Sequence, residues 1–285
     1  MWSYNEINEV IKIKELFSLF EQRCSKEYDF KGEQHNFWEC LYVKRGLVCV
    51  SADERIYRLK ENQIIFHKPM EFHKFYIESK DGADIFVMSF SMEGELTDYF
   101  KNKVFTLSYQ QKRTIEDLIK YANIKEKSVS IPDDVDIFHK YRYPFMKIKT
   151  YSQMVTTYIY QLFLSLLDNG EISKMCETDD SDTFKKAVKY MTANISLSLS
   201  VEKIAKYCNV SCATLKRIFT RYTGVGVHKY FLSLKIKRAK ELLLNGETVT
   251  KTAEKLGFSS QGYFSSAFKR ETGVSASSIF LPKEN

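Results

Sequence analysis

Hydrophobic and polar positions alternate in different ways along this chain of 285 residues, and the change of pattern divides it into regions. Between residues 37 and 90, short runs of β-branched and aromatic residues are separated by turn residues such as Arg45-Gly46 and Glu61-Asn62. Such a pattern predicts six β-strands with short connections, which is typical of a sandwich or a small barrel. The predicted strands are 37–43, 47–51, 56–59, 64–67, 72–77 and 85–90.

Helical spacing of apolar residues replaces this alternation after residue 108. It predicts helices over 109–124 and 152–167, and the second is more apolar than a helix with one buried face requires. Either its own β-domain or the same helix of a second subunit can cover the surplus, and we expect a homodimer contact through 152–167. We expect a partly ordered loop over 124–142, and the polar, acidic segment 169–182 is typical of an interdomain linker.

A repeated pattern occupies the last hundred residues. The segments 205–211 and 253–259 are related by an offset of 48 residues, which becomes 49 after the turn. In each copy a small Ala allows two helices to cross closely, a turn residue able to adopt positive φ follows, and a Ser caps a second helix. The turn residues are Asn209 and Gly257, and the capping serines are Ser211 and Ser259. The repeat therefore predicts two tandem helix-turn-helix units, preceded by a helix over 183–194.

Charge follows the same division of the chain. The whole sequence carries 43 basic and 36 acidic residues, for a net charge of +7. Residues 183–285 hold 18 basic and 6 acidic residues and carry +12, which leaves −5 on residues 1–182. A basic domain of short helices is typical of a protein that neutralises DNA phosphates. We predict an α+β chain with an N-terminal domain over 1–168, a linker over 169–182 and an all-α DNA-binding domain over 183–285.

The first recognition helix is predicted at 212–222, with supporting helix 201–207 before it. Its apolar stripe leaves five residues on the outer face: Ala213, Lys216, Arg217, Thr220 and Arg221. Residues near the start of such a helix reach base edges in the major groove, whereas later ones meet phosphates. We expect Lys216 and Arg217 to donate to guanine and Arg221 to contact the DNA backbone.

The second recognition helix offers fewer groups that discriminate between bases. Its predicted outer residues are Gln261, Gly262, Ser265, Ser266, Lys269 and Arg270. Gln261 can pair with adenine, while the last two residues of this set can bind phosphates. Sequence choice is therefore expected mainly from the first unit. A long helix over 227–244 is expected to hold the two units about one DNA turn, ~34 Å, apart.

These residues resemble the DNA-binding domain of the AraC/XylS family of bacterial transcription regulators. The matching positions are Ser200 to Ala205, Ser211, Leu215, Arg217, Phe219, Gly224, Arg238-Ala239, Leu242-Leu243, Ala253, Gly257 to Ser259, Gln261, Tyr263-Phe264, Phe268-Lys269 and Gly273. The chain departs at Ser266, where the family often has Arg, and at Gly226-Val227 and Ser275-Ala276, where it often has Ser-Pro. The resemblance implies double-stranded promoter DNA as a partner, and activation through RNA polymerase as the commoner outcome.

For the N-terminal half, the resemblance implies a cupin-like β-barrel that binds a small-molecule effector. The segment 65–73 is similar to one found there in many members of the family. We expect Trp38, Tyr42, Phe66 and His73 to line a pocket suited to a sugar or another small molecule, although each also fits an ordinary core. His35, Glu39, His67 and His73 lack the HxH spacing of a metal-binding cupin, so we expect no metal and no cofactor.

Three other functions agree with parts of the sequence. The barrel can serve as a docking surface for a partner protein, or the chain can be a cupin-type metalloenzyme or a DNA-repair alkyltransferase fused to a DNA-binding domain. We expect no enzyme, because neither the metal ligands nor an activated cysteine is evident. The six cysteines have no metal-binding spacing, no apolar run reaches the ~18 residues that span a bilayer, and the N-terminus does not resemble a signal peptide. We therefore expect a cytoplasmic protein without a membrane segment.

Overall fold

The computed structural model describes residues 8–28, 30–53, 55–173 and 178–279, which form two compact units divided after residue 176. The first unit is mainly β-structure followed by helices. Its strands are β1 Lys12–Cys24, β2 Trp38–Arg45, β3 Leu47–Ala52, β4 Arg55–Lys60, β5 Gln63–His67, β6 His73–Ile77, β7 Ala83–Glu93, β8 Val104–Thr106 and β9 Glu171–Ile172. Its helices are α1 Tyr109–Lys127, α2 Ile137–Lys140, α3 Arg142–Lys147 and α4 Tyr151–Asn169, and a 3₁₀ turn spans Thr97–Phe100.

The strands form two antiparallel sheets. A large sheet has the order β1-β7-β2-β5-β8-β9, and a small sheet has the order β4-β3-β6. The fold class predicted from the sequence is confirmed, with an antiparallel β-domain followed by a helical domain. Among the described strands, the two sheets are not joined into a closed barrel.

Two apolar cores lie on opposite faces of the large sheet. Residues at alternate positions of β2 and β7, such as Leu41 and Val87, pack toward the small sheet, and we call this side the inner face. Their neighbours, such as Tyr42 and Phe86, pack against α1 and α4 on the outer face. Since successive side chains of a strand point to opposite faces, a sheet covered on both sides is apolar at nearly every position.

The six predicted strands are all present, but the pattern missed β1, β8 and β9. Strand β1 is an edge strand of the large sheet, and most of its positions are only partly buried. Its register with β7 shifts between Ile13 and Glu15 and again between Leu16 and Ser18. These irregularities interrupt the alternation by which a strand is recognised in a sequence. The expected loop over 124–142 also contains more structure than predicted, because α1 extends to Lys127 and α2 lies within it.

The second unit consists of helices alone among its described residues. They are α5 Asp179–Ala193, α6 Val201–Cys208, α7 Cys212–Thr223, α8 Val227–Leu244, α9 Val249–Lys255, α10 Gln261–Thr272 and α11 Ala276–Ile279. The helix-turn-helix units predicted from the repeat are α6 with α7 and α9 with α10. Asn209 and Gly257 adopt φ values of 57° and 62° in the two turns, as the repeat predicts. The cap of α10 is Ser260 rather than the predicted Ser259, since the Ser260 side chain accepts a hydrogen bond from the Tyr263 amide.

Helix α5 begins before the position that its apolar spacing indicates. The Thr178 side chain accepts a hydrogen bond from the Ser181 amide at 3.1 Å, and the Ser181 hydroxyl accepts one from the Thr178 amide at 2.8 Å. Asp179, Asp180 and Asp182 occupy the first turn, where negative charge is favourable. The acidic run that the sequence analysis assigns to the linker is therefore the start of a helix.

A buried lysine joins the second helix-turn-helix unit to the rest of the domain. Lys235 of α8 is buried, and its Nζ donates to the carbonyl oxygens of Leu197 and Leu256. The Leu256 bond is 2.7 Å long and lies at the end of α9, beside the turn residue Gly257. Burial lowers the pKa of Lys235 below its usual value. The segment after α5 and the end of α9 are thus held to the same side chain.

Candidate DNA-binding surface and effector cavity

The start of α7 is built to present side chains to a ligand. The Ser211 hydroxyl accepts a hydrogen bond from the Thr214 amide at 3.0 Å and caps the helix. On the opposite face, Phe219 lies 5.0 Å from Phe184 and 5.3 Å from Tyr230, measured between ring centroids. All five residues predicted for the outer face are exposed: Ala213, Lys216, Arg217, Thr220 and Arg221. A rigid helix therefore carries them as one surface.

An acidic residue that sequence reasoning missed contacts this surface. Arg217 donates from Nη1 and Nη2 to the two carboxylate oxygens of Asp180, at 2.9 and 3.0 Å. Arg221 also donates to Asp180, at 3.3 Å. Hydrogen bonds from Arg217 hold the pKa of Asp180 below its usual value, and the charges of both arginines act in the same direction. The sequence signal for this contact is the acidic run within 179–182, which directly precedes the basic helical domain.

We expect Asp180→Asn to increase DNA affinity about two- to fivefold. Arg217 has to leave Asp180 before its two donors can reach a base, and a solvent-exposed pair of this kind contributes up to about 1 kcal/mol. The measurement is fluorescence anisotropy with the upstream DNA of its own gene at low salt. Asp182→Asn removes the same charge from the same helical turn without removing the Arg217 contact, and serves as control. Weaker binding by Asp180→Asn would show instead that the carboxylate orients Arg217 for DNA.

The outer face of α10 is smaller and less charged. Gln261, Gly262, Ser266, Lys269 and Arg270 are exposed, whereas Ser265 is half-buried. The Gln261 Oε1 accepts a hydrogen bond from Thr250 at 2.9 Å, so this side chain has a partner within the domain. Tyr263, which was not among the predicted contacts, is half exposed in the first turn and offers a ring and a hydroxyl.

The predicted effector residues do not come together in one pocket. Trp38, Tyr42 and Phe66 are buried on the outer face of the large sheet, in the core shared with α1 and α4. Phe66, for example, lies 5.1 Å from Phe163 of α4. His73 is buried on the other side of the domain, beside Glu39. The three aromatic residues are therefore placed as core residues, which is the alternative that the sequence left open.

A cavity of about 410 Å³ opens beside the inner face of the large sheet. Its polar lining includes Ser18, Gln22, Glu33, His35, Glu39 and Ser89, and its apolar lining includes Phe17, Phe20, Tyr28, Phe30, Phe37, Phe75, Ile85 and Val87. The volume lies within the range of small-molecule sites, which combine apolar walls with a few placed polar groups. This cavity lies on the face of the large sheet opposite Trp38, Tyr42 and Phe66, and β2 is largely apolar on both of its faces.

Four titratable side chains meet at one wall of this cavity. His73 Nε2 lies 3.2 Å from Glu39 and 3.5 Å from Glu33, and His35 Nε2 lies 3.7 Å from Glu39. Burial alone lowers the pKa of a histidine, but hydrogen bonds to Glu33 and Glu39 outweigh it and raise the pKa of His73 to about 10. Burial opposes ionisation of Glu39, yet the neighbouring His35 and His73 hold the pKa of this carboxyl well below its usual value. The cluster concentrates negative charge around two imidazoles.

Two family models match separate parts of this sequence. The model described as an AraC-like ligand binding domain matches residues 19–120, and the model described as a helix-turn-helix domain matches residues 204–280. Together they cover more than half of the chain, and they coincide with the cavity-bearing sheets and with the tandem helix-turn-helix units. The chain belongs to the AraC family. It is an AraC-family transcriptional regulator with a ligand-binding N-terminal domain, and its matched families are regulators rather than enzymes.

Relatives of this AraC-family protein differ in how much of it they match. The HTH-type transcriptional regulator YfiF of Bacillus subtilis is 24% identical over 88% of this chain and 79% of its own length. The HTH-type transcriptional regulator ArgR of Pseudomonas aeruginosa is 36% identical, but over 31% of this chain and 27% of its own length. A crystal structure of an AraC-type transcriptional regulator from Chromobacterium violaceum is 33% identical over 34% of this chain and 88% of that one, with a TM-score of 0.34. Within the described residues, no helix combines the length and hydrophobicity needed to cross a membrane.

Proposed function

We propose that this AraC-family protein is a homodimeric, cytoplasmic regulator whose binding to promoter DNA is controlled by a small-molecule effector in the cavity beside the inner face. The cavity carries the proposal, because it joins aromatic walls to hydrogen-bonding groups in one space of about 410 Å³. The effector acts only if it binds the DNA-competent and the DNA-incompetent arrangements with different affinities.

The lining favours a polyhydroxylated molecule such as a sugar. Phe17 and Tyr28 offer rings, against which the apolar face of a sugar can pack. Glu33, Glu39 and Gln22 offer side-chain oxygens that accept hydrogen bonds from hydroxyl groups. A ligand of this kind satisfies both halves of the lining at once.

The two recognition helices are proposed to divide the work of binding DNA. Helix α7 carries Lys216 and Arg217 near its start, where they reach base edges, and Arg221 one turn later, where it meets phosphate. Helix α10 adds phosphate contacts through Lys269 and Arg270, with Gln261 as its main base-reading group. Helix α8 has 18 residues, about 27 Å at the usual rise per residue, and separates the two units.

A stripe on α4 supports a homodimer. The opposite face of this helix is buried through Val155, Ile159 and Leu162 within its own domain, which accounts for part of its apolar surplus. Met154, Thr157, Gln161 and Leu164 are exposed at alternating spacings of three and four residues, the spacing of a helix-helix seam. Dimers place four recognition helices on DNA, and an activator of this form would contact RNA polymerase from there.

The test is fluorescence anisotropy of the full-length protein with its own upstream DNA and a shuffled fragment, across salt concentrations and with a panel of sugars. We expect tight, salt-dependent binding to the native fragment that one sugar alters. Ser18→Trp is expected to fill the cavity and abolish the sugar response while DNA binding persists, and Ser18→Ala is the matched control that keeps the cavity open. A sugar response that Ser18→Trp retains would place the effector elsewhere, and a response to an added protein alone would favour a docking function.

A further inference from the structure

The cluster of Glu33, His35, Glu39 and His73 has the composition and spacing of a cation site. One ligand atom of each residue can be chosen so that all four lie within 4.8 Å of one another. A tetrahedral ion with bonds of about 2.1 Å holds neighbouring ligands about 3.4 Å apart. The four imidazole-carboxylate distances range from 3.2 to 3.9 Å, close to that separation.

Backbone pairing holds these residues in place. Glu33 and His73 form an isolated β-bridge, in which the Glu33 amide donates to the His73 carbonyl at 2.9 Å and the His73 amide donates back at 3.0 Å. Glu39 lies in β2 opposite Ser89 of β7, and its Oε2 accepts a hydrogen bond from the Ser89 hydroxyl at 2.8 Å. The site is therefore assembled from three segments that the sheets fix.

Both imidazoles are oriented so that Nε2 faces the carboxylates. His35 Nδ1 lies 3.0 Å from the Phe37 carbonyl oxygen, and His73 Nδ1 lies 3.2 Å from the Glu71 carbonyl oxygen. A carbonyl oxygen only accepts, so each Nδ1 carries a proton and each Nε2 is the nitrogen left to bind an ion. Metal-binding histidines are held in the same way by a hydrogen bond from their other ring nitrogen. A metal ion at this position has to displace the proton through which His73 Nε2 hydrogen-bonds to Glu39.

His35 supplies an independent sign that a group is to be bound here. Its side chain is 13% exposed, and its Nε2 is buried with no hydrogen-bond partner among the residues that the structure describes. A buried nitrogen without a partner is unfavourable, and native proteins leave few of them. This nitrogen lies 3.9 Å from Glu33 and 3.7 Å from Glu39, at the position from which it can bind an ion held between them.

We propose that Glu33, His35, Glu39 and His73 bind one divalent transition-metal ion at the wall of the effector cavity. Once the ion has displaced the Nε2 protons, the two imidazoles are neutral and the two carboxylates carry a charge of −2, which such an ion balances. Imidazole nitrogen together with carboxylate oxygen suits zinc and its neighbours better than calcium or magnesium. The expectation of no metal rested on the missing HxH, whereas here Glu33 and not a second histidine stands two residues before His35.

The position of the site links it to regulation, and this part of the inference rests on the effector function proposed above. Glu33, His35 and Glu39 also line the cavity, and Glu33 is 46% exposed. A metal ion there would face the bound effector and favour molecules with adjacent hydroxyl or carboxylate oxygens. A bound metal ion would thus add to the specificity for sugars that is proposed above.

The experiment uses the full-length protein, stripped with a chelator and titrated with Zn²⁺ against a chromophoric competitor, with metal content measured by mass spectrometry. Co²⁺ serves as a second probe, because four-coordinate Co²⁺ absorbs visible light. We expect one ion per chain and at least about 100-fold weaker affinity in His35→Gln, beyond the 10- to 100-fold loss typical of an outer hydrogen bond. Glu33→Gln is expected to weaken binding about tenfold. His228→Gln, a histidine on α8, is expected to bind as the wild type does.

Wild-type protein that binds no Zn²⁺, or variants at His35 and Glu33 that bind it as tightly as the wild type, would overturn the metal site. Circular dichroism of the stripped variants shows whether each is folded, and the half-exposed Glu33 keeps the test valid should His35→Gln unfold. A sugar response in stripped, metal-free protein without any Zn²⁺ binding would refute the metal site and leave the proposed function intact. One bound ion without any small-molecule effect on DNA binding would support the metal site and refute the proposed effector function.

Discussion

Arg217→Ala is expected to weaken binding to the cognate operator roughly 5- to 150-fold, and to reduce discrimination at one or two base pairs. A bidentate contact from Arg to guanine contributes about 1–3 kcal/mol of discrimination, which corresponds to that range. The structure shows that Arg217 already presents its two donors in parallel, because it holds the two oxygens of Asp180 at 2.9 and 3.0 Å. Both donors are therefore arranged for a planar, two-acceptor partner.

The measurement compares anisotropy curves for the operator and for single-base variants of it. Arg221→Ala is the matched control, since it removes the same charge one helical turn later. We expect that variant to weaken binding evenly on every sequence and to reduce the salt slope by about one unit. Equal losses on all fragments from both substitutions would contradict the division between base reading and phosphate contact.

Gly257→Ala is expected to destabilise the DNA-binding domain by more than about 3 kcal/mol and to abolish the contribution of α10 to DNA binding. Gly257 has a φ of 62°, and a Cβ atom added there would overlap the carbonyl oxygen of Ser196. The neighbouring carbonyls of Leu197 and Leu256 are both held by Lys235, so the backbone has little freedom to move away. Strain and a backbone clash therefore act together.

Gly273→Ala separates these two causes. Gly273 has a φ of 78° at the end of α10, but a Cβ atom there would meet nothing within 4 Å. We expect a loss of about 1–2 kcal/mol from the left-handed conformation alone. Thermal and urea unfolding of the full-length protein measure both variants. Similar losses at the two glycines would show that the contact with Ser196 contributes nothing.

The helical half could be predicted closely from the sequence because its signals are local. Helix caps, αL turn residues and 3.6-residue spacing lie within a few residues of the element that they define. Thus α6, α7 and α8 were predicted to within one residue at each end, and the exposed face of α7 was predicted residue by residue. Contacts between elements have no such local signal: Lys235 of α8 donates to the Leu256 carbonyl at the end of α9, and Asp180 reaches α7 from another helix.

In the β-domain, local sequence patterns do not determine which face of a strand lines the cavity. Alternation along β2 separates Trp38 and Tyr42 from Glu39 and Leu41, but both sets are buried, so the pattern does not tell which one faces the cavity. Strand order decides it, since α1 and α4 cover one face and the small sheet lies against the other. The pairing of Glu33 with His73 across 40 residues of sequence has no local signal either.

The sequence by itself determined the strands of the sheet core, the tandem helix-turn-helix units and the outer residues of α7, because each depends on interactions between near neighbours. Only the tertiary structure decided which face of the large sheet bears the cavity, which residues form the Glu and His cluster, and that Asp180 holds Arg217. Those features depend on distant segments that packing brings together, and their geometry is set by strand pairing and burial rather than by any periodicity along the chain.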